Sequence, residues 1–279
     1  MPKLRPNQFT LPSGKVISEI PLLFQTEMVK AILDGRKTQT RRTRGLDEIN
    51  KHPEYWNRDG NPMKNICRFW NSRLSDPNPL RIEFGFKQYS FHDGETTTYI
   101  NSPYGKPGDL LWVRESFQKT SRFYYKADFS EQIARKASAS GATWKPSIHM
   151  PKSACRIWLM VESIGVERVR YICGDDAIAE GVQYISGIDL HWDGWRDYEL
   201  KEIQLGPHYT FPSLSFQSLW KSINGKSSWD SNPWVWVIKF RVLSKTGRPS
   251  EELIAEHHQQ IASPRSSSRN DARKEVSDV

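Results

Sequence analysis

The chain has 279 residues, 37% hydrophobic and 12% aromatic with 11 Trp, enough apolar mass for a sizeable core and too much for wholesale disorder. Lys and Arg outnumber Asp and Glu by 40 to 32, a formal +8. Residues 244–279 hold six of each sign, so the whole excess falls in residues 1–243. A basic body with a neutral tail points to an anionic partner, nucleic acid being the commonest; the plain alternative is charge that only keeps a surface solvated. Cys67, Cys155 and Cys173 stand far apart with no C-x-x-C pair, so neither a zinc site nor a redox centre is expected. That usage suits a reducing cytoplasm. The N-terminal residues lack the apolar run of a secretion signal, and no stretch reaches the length of a membrane span. A cytoplasmic chain with no membrane partner, metal or cofactor is expected.

In chain order, residues 1–19 read as a loose lead-in, and Ile20 to Phe24 as a short apolar strand. Thr26 is a candidate N-cap for a helix over roughly 27–34, with Met28, Val29, Ile32 and Leu33 on one face and Gly35 at the C-terminal cap. Residues 45–107 are polar and turn-rich yet carry Trp56, Phe69, Trp70, Phe84, Phe86 and Tyr89, which suggests an ordered insertion of short pieces. After the turn Gly105 to Asp109 come strands at Leu110 to Phe117 and Arg122 to Ala127, within a second insertion over 119–153. A strand pair is expected at Arg156 to Ile164 and Val166 to Ile172. Gly174-Asp175-Asp176 then opens a short helix that Gly181 closes, with acidic residues at its positive end.

Residues 183–210, bearing Trp192 and Trp195, read as a third insertion. Phe211 to Ile223 forms an amphipathic pattern through Phe216, Leu219, Trp220 and Ile223, stopped by Asn224-Gly225. Pro233 to Val242 is strongly β-prone, with Trp234 and Trp236 on one face, best placed in the core. Residues 244–279 are Ser-, Gln- and Arg-rich and read as a mostly disordered tail, with one weak helical hint at Glu251 to Gln260. The fold class is therefore mainly β with short helices (α+β), and residues 20–243 make one domain shaped as a small barrel.

The richest stretch for chemistry is Gly35-Arg36-Lys37-Thr38-Gln39-Thr40-Arg41-Arg42, continued by Arg44. As an extended strand it puts Thr38, Thr40 and Arg42 on one face and Lys37, Gln39 and Arg41 on the other. As a turn it lets Lys37 and Thr40 approach. Thr and Arg together make poor core and a good surface for phosphates or base edges, though a solvated charged edge strand has the same composition. On the strand after Gly108-Asp109, Trp112 and Arg114 share a face and could stack a base; alternatively Trp112 packs in the core and Arg114 snorkels or pairs with Glu180.

The runs PLLFQTEMVKAILDGRKTQTRR, YGKPGDLLWVRESF, DDAIAEGV and NPWVWVIKF together resemble the ASCH family, relatives of the RNA-binding PUA fold. With WKPSIHMPKSACRI they are similar to the long ASCH proteins of phages and prophages. The resemblance covers most of residues 20–243 and implies a PUA-like β-barrel whose basic cleft holds RNA, single-stranded nucleic acid or a modified nucleoside. One subfamily hydrolyses the acyl amide of 4-acetylcytidine, and the positions matching its Lys, Thr and Glu are Lys37, Thr40 and Glu180. That resemblance implies Lys37 as base, Thr40 as nucleophile and Glu180 as proton carrier, with Arg42 on an oxyanion or phosphate. Arg36, Thr38, Arg42, Arg114, Trp112 and His149, the last in the proline-bounded PSIHMP loop, complete the expected ligand-binding set.

Overall fold

The computed structural model describes residues 5–56, 68–69, 81–87, 95–130, 132–134, 143–186, 193–200 and 208–262. In chain order they form β1 (Gln8–Thr10), β2 (Val16–Leu23), α1 (Thr26–Leu33), β3 (Gln39–Arg42), β4 (Arg68–Phe69), β5 (Arg81–Lys87), β6 (Glu95–Asn101), β7 (Leu110–Arg114), β8 (Phe117–Lys119) and β9 (Phe123–Tyr125). There follow β10 (Trp158–Arg168), α2 (Gly174–Ala179), β11 (Tyr184–Ile185), β12 (Gly194–Trp195), α3 (Pro212–Asn224), α4 (Ser227–Asp230), β13 (Trp234–Ser244) and α5 (Glu251–Ala262). No described helix is long and apolar enough to cross a membrane.

The fold is mixed α/β, built on a six-stranded sheet in the order β1-β2-β7-β10-β13-β3. The sheet is open, with β1 and β3 at its edges, and is not closed into the small barrel expected from the sequence. Only β2 and β7 run parallel; every other neighbouring pair is antiparallel. Side chains alternate between faces of a strand, and the two faces bury different clusters. Leu111, Val113, Leu159 and Val161 join Val29 and Ile32 of α1 and Phe216, Leu219 and Trp220 of α3. Leu110, Trp158 and Met160 join Ile17, Phe117 and Ile254 on the other face. Trp234 and Trp236 are buried, as their strand pattern requires.

Four local expectations are corrected. Residues 156–172 do not fold into a strand pair: β10 is one strand, with Gly165 opposite Val237 of β13. A full-length antiparallel partner overrides the glycine's turn tendency. The lead-in contains the β1–β2 pair, in register Gln8 to Ser18; polar Ser18 and Glu19 mask the strand, Glu19 being buried through ion pairs to Lys152 and Arg248. Thr26 is not the cap of α1, which starts after Gln25 without any side-chain cap bond. The segment Glu251–Ala262 is helical, with Ile254 fully buried against the second face, so tertiary docking rather than propensity orders it.

Within 45–107 the strands β4, β5 and β6 form a separate three-stranded sheet. Cys67, Trp70, Tyr89, Trp192 and residues 263–279 lie outside the described residues.

Candidate functional site

The site begins where α1 stops. Gly35 takes φ +79°, a left-handed turn that glycine adopts without steric cost, and the chain doubles back so that the Lys37 amide donates to Ala31 O at 3.0 Å. The returning segment is then stitched on both sides. Thr38 N donates to Ala179 O at 2.9 Å, and Phe240 N donates to Thr38 O at 2.9 Å. Lys37 and Glu180 form an isolated antiparallel bridge. Gly181, at φ +91°, makes this junction possible: a Cβ there would lie 2.9 Å from both Ala31 Cβ and Lys37 Cβ.

Strand alternation then sorts the side chains. Lys37, Gln39 and Arg41 turn to α2. Lys37 Nζ donates to Glu180 Oε2 at 2.8 Å and to the Glu180 carbonyl at 2.6 Å. Gln39 Nε2 donates to Asp176 O at 2.8 Å. Arg41 reaches three carboxylates: Glu180 Oε1 at 3.0 Å, Asp176 Oδ2 at 3.1 Å and Glu167 Oε1 at 2.6 Å. Lys239 approaches Asp176 at 3.7 Å. Three cations (Lys37, Arg41, Lys239) thus face three carboxylates (Glu167, Asp176, Glu180), and the Lys37 and Glu180 side chains are only 2% and 4% exposed. Burial pushes the Lys37 ammonium below its ordinary value, opposed by Glu180 and assisted by Arg42 and Arg41.

A cavity of about 300 Å³ opens beside this cluster. Lys37, Thr40 and Glu180 all line it, together with Arg41, Arg42 and Arg44. Its aromatic lining comes from Phe24, Tyr104, Phe216 and Trp220. The Arg42 guanidinium lies 5.0 Å from the Phe24 ring centre, and its Nη2 donates to Leu23 O at 2.7 Å. Arg42 Nε and Trp220 Nε1 are buried without a hydrogen-bond partner. Burial pushes the Arg42 guanidinium down, against the pull of Tyr104 and Glu180.

The remaining expected site residues lie elsewhere. Arg36 does not line the cavity; it donates to Gly181 O at 2.9 Å and pairs with Asp34 at 3.0 Å, bracing the end of α2. The Thr38 side chain is exposed, and only its backbone serves the junction. Trp112, Arg114 and His149 are not in the cavity lining. The Arg114 guanidinium sits 5.4 Å from the Trp112 ring centre and donates to the Ile148 carbonyl, while Trp112 packs against the second core cluster. His149 is exposed at the end of a 3-10 turn. Arg114 therefore does not pair with Glu180, whose two oxygens are taken by Lys37 and Arg41.

Sequence reasoning missed Arg41 as the centre of the carboxylate cluster, and also Glu167, Asp176, Tyr104, Phe216 and Trp220. The available signal was spacing. Asp176 and Glu180 stand four apart from the start of a short helix to its end, and Phe216 and Trp220 four apart on another, so each pair shares a face.

Among the described residues no group of three His, Cys, Asp or Glu could hold a metal ion. Comparison of the chain with protein-family models, with curated proteins and with solved structures finds no match.

Proposed function

We propose that this chain is a relative of the ASCH proteins, with their PUA-like architecture, and that it holds a nucleobase in the cavity beside β3. The ligand is a modified nucleoside, or a base presented by RNA or another single strand. One observation carries the reading: residues from α1, β3, the end of α2 and α3 converge on one cavity with flat aromatic walls and buried cations. About 300 Å³ is at the lower end for small-molecule sites, roughly 300–1,000 Å³, which suits a single nucleoside. Titration calorimetry with cytidine, 4-acetylcytidine and a short single-stranded RNA tests it. Saturable binding is expected, weakened by about 1–3 kcal/mol in Arg42→Ala. For the RNA, affinity falls steeply with salt. Absence of binding by every probe overturns the reading.

A second reading, hydrolysis of an amide on the base, is favoured by the buried Lys37–Glu180 pair at 2.8 Å lining the same cavity as Thr40. Lys37, whose hold on its proton is weakened by burial, takes the hydroxyl proton as Thr40 Oγ1 bonds to the amide carbonyl carbon. Arg42 stabilises the oxyanion. The lysine proton passes to the departing amine nitrogen as the C–N bond breaks, and Glu180 keeps the ammonium oriented for that transfer. Water, deprotonated by the same lysine, then attacks the threonine ester; the lysine returns that proton to Thr40 Oγ1 as the acyl C–O bond breaks, and the acid leaves, ionising to its carboxylate in solvent. Release of acetate from 4-acetylcytidine, lost in Lys37→Ala and Thr40→Ala proteins that still fold, is the expected result. No turnover on a panel of acylated nucleosides removes this second reading and leaves binding intact.

A further inference from the structure

We propose that the ligand of this cavity carries a phosphate monoester, so that a mononucleotide, or the phosphorylated end of a strand, is bound in preference to a neutral nucleoside. The inference rests on the nucleobase reading above and goes beyond it by naming the group that the cavity's uncompensated charge takes.

The argument is a charge count. Four cations line the cavity: Lys37, Arg41, Arg42 and Arg44. Lys37 and Arg41 belong to the cluster in which, with Lys239, they face Glu167, Asp176 and Glu180. That cluster is neutral as it stands.

Among the described residues Arg42 and Arg44 have no such partner. There Arg42 donates only to the Leu23 carbonyl, and Glu180 acts on it at longer range. Arg44 is exposed at the rim and makes neither a hydrogen bond nor an ion pair among the described residues. The nearby carboxylate Asp47, which accepts from the Gly45 amide at 3.3 Å, acts with Arg42 and Arg44 on Tyr104 and offsets part of their charge at longer range. Two cations against one carboxylate still leave positive charge on this wall, and a phosphate monoester carries about −1.5 to −2 at neutral pH.

The unpaired donors point the same way. Arg42 Nε and Trp220 Nε1 are both buried without an acceptor, and both residues line the cavity, one from β3 and one from α3. A buried donor left unsatisfied costs free energy, and a ligand oxygen removes that cost once the side chain turns its donor to the cavity. A phosphate offers the acceptor oxygens and the matching charge, and guanidinium donors bind it in charge-assisted hydrogen bonds. The aromatic lining by Phe24, Tyr104 and Phe216 remains for the base.

Calorimetry on the full chain with cytidine, cytidine 5′-monophosphate, inorganic phosphate and a 5′-phosphorylated short RNA tests the proposal, beside Arg44→Ala and Trp220→Phe. The monophosphate is expected to bind about tenfold or more tightly than cytidine, and Arg44→Ala to bring the ratio of the two affinities close to one. Trp220→Phe, which keeps an aromatic side chain but deletes the donor, is expected to weaken the monophosphate several-fold. Tight binding of the phosphorylated RNA, lost on dephosphorylation, supports the same site with a strand end as its source. Equal affinity for cytidine and its monophosphate, with Arg44→Ala silent, overturns the phosphate assignment and leaves the nucleobase reading standing. Phosphate bound in an Arg44-dependent way with no gain from an attached base supports the phosphate assignment and overturns the nucleobase reading.

Discussion

Breaking the Lys37–Glu180 pair from each side in turn should give unequal losses of stability. The Lys37 side chain is 2% exposed and Glu180 4%, and Arg41 at 1% is the second cation on Glu180. Removing one member of a buried pair costs about 3–5 kcal/mol, because the survivor is an uncompensated buried charge. In Glu180→Ala the survivor is Lys37, since Arg41 keeps Asp176 and Glu167. Lys37 retains the residue 180 carbonyl, and burial already favours its neutral form, so the low end applies, about 3 kcal/mol. In Lys37→Met the survivor is Glu180, still paired with Arg41 at 3.0 Å, so only a lost hydrogen bond remains, about 1–2 kcal/mol. The double variant should cost less than the sum, with a coupling of roughly 1 kcal/mol or more. Urea unfolding midpoints with their slopes provide the measurement. The reasoning is refuted if Lys37→Met costs as much as Glu180→Ala, or if both stay within the ±0.5 kcal/mol or so of ordinary surface changes.

Three further outcomes are expected. Burial raises the Asp109 carboxyl to about 6, against hydrogen bonds from the Ser18 and Lys106 amides. The folded state then holds the proton more tightly than the unfolded one, so the stabilisation is complete below about pH 4 and is lost as pH rises through 6, a loss of up to about 3 kcal/mol. Asp109→Asn should flatten that part of a stability–pH profile, and parallel profiles would contradict the assignment. Gly181→Ala, with φ +91° and two Cβ contacts at 2.9 Å, should cost about 2–3 kcal/mol by thermal or urea unfolding, whereas Gly14→Ala, at φ +79° with nothing within 4 Å, should cost about 1 kcal/mol; equal losses would refute the junction's role. Ile254→Ala should destabilise by about 2–4 kcal/mol through the cavity left against the second face, and an effect below about 0.5 kcal/mol would mean that α5 does not dock as described.

Strong local patterns were legible, and pairings between distant segments were not. The β-prone runs of β7 and β13 and the periodic faces of α1 and α3 carried their own evidence, because alternation and 3.6-residue spacing are local properties. Ile20 to Leu23 of β2 read as a strand, but β1 and the first half of β2 were hidden because Glu19 is a buried carboxylate held by Lys152 and Arg248, partners more than a hundred residues away. The α5 helix has few apolar residues and is ordered by the buried Ile254 and His258 and their neighbours. In the site, Lys37, Thr40, Arg42 and Glu180 were nameable through a family resemblance. Arg41 was not, because its role depends on Glu167 and Asp176 meeting it from two other elements. Trp220 and Phe216 read as core, and they are core on a helix whose edge also lines a cavity.

Chemical-shift mapping of the isotope-labelled chain with cytidine 5′-monophosphate tests the central claim most directly. Saturable shifts are expected at Leu23 and Phe24, through Thr40 to Arg44, at Glu180 and at the Trp220 indole, the residues bordering the cavity. Shifts confined to the Trp112–Arg114–His149 surface, or no saturable shift at millimolar ligand, would contradict the assignment of this cavity as the nucleobase site.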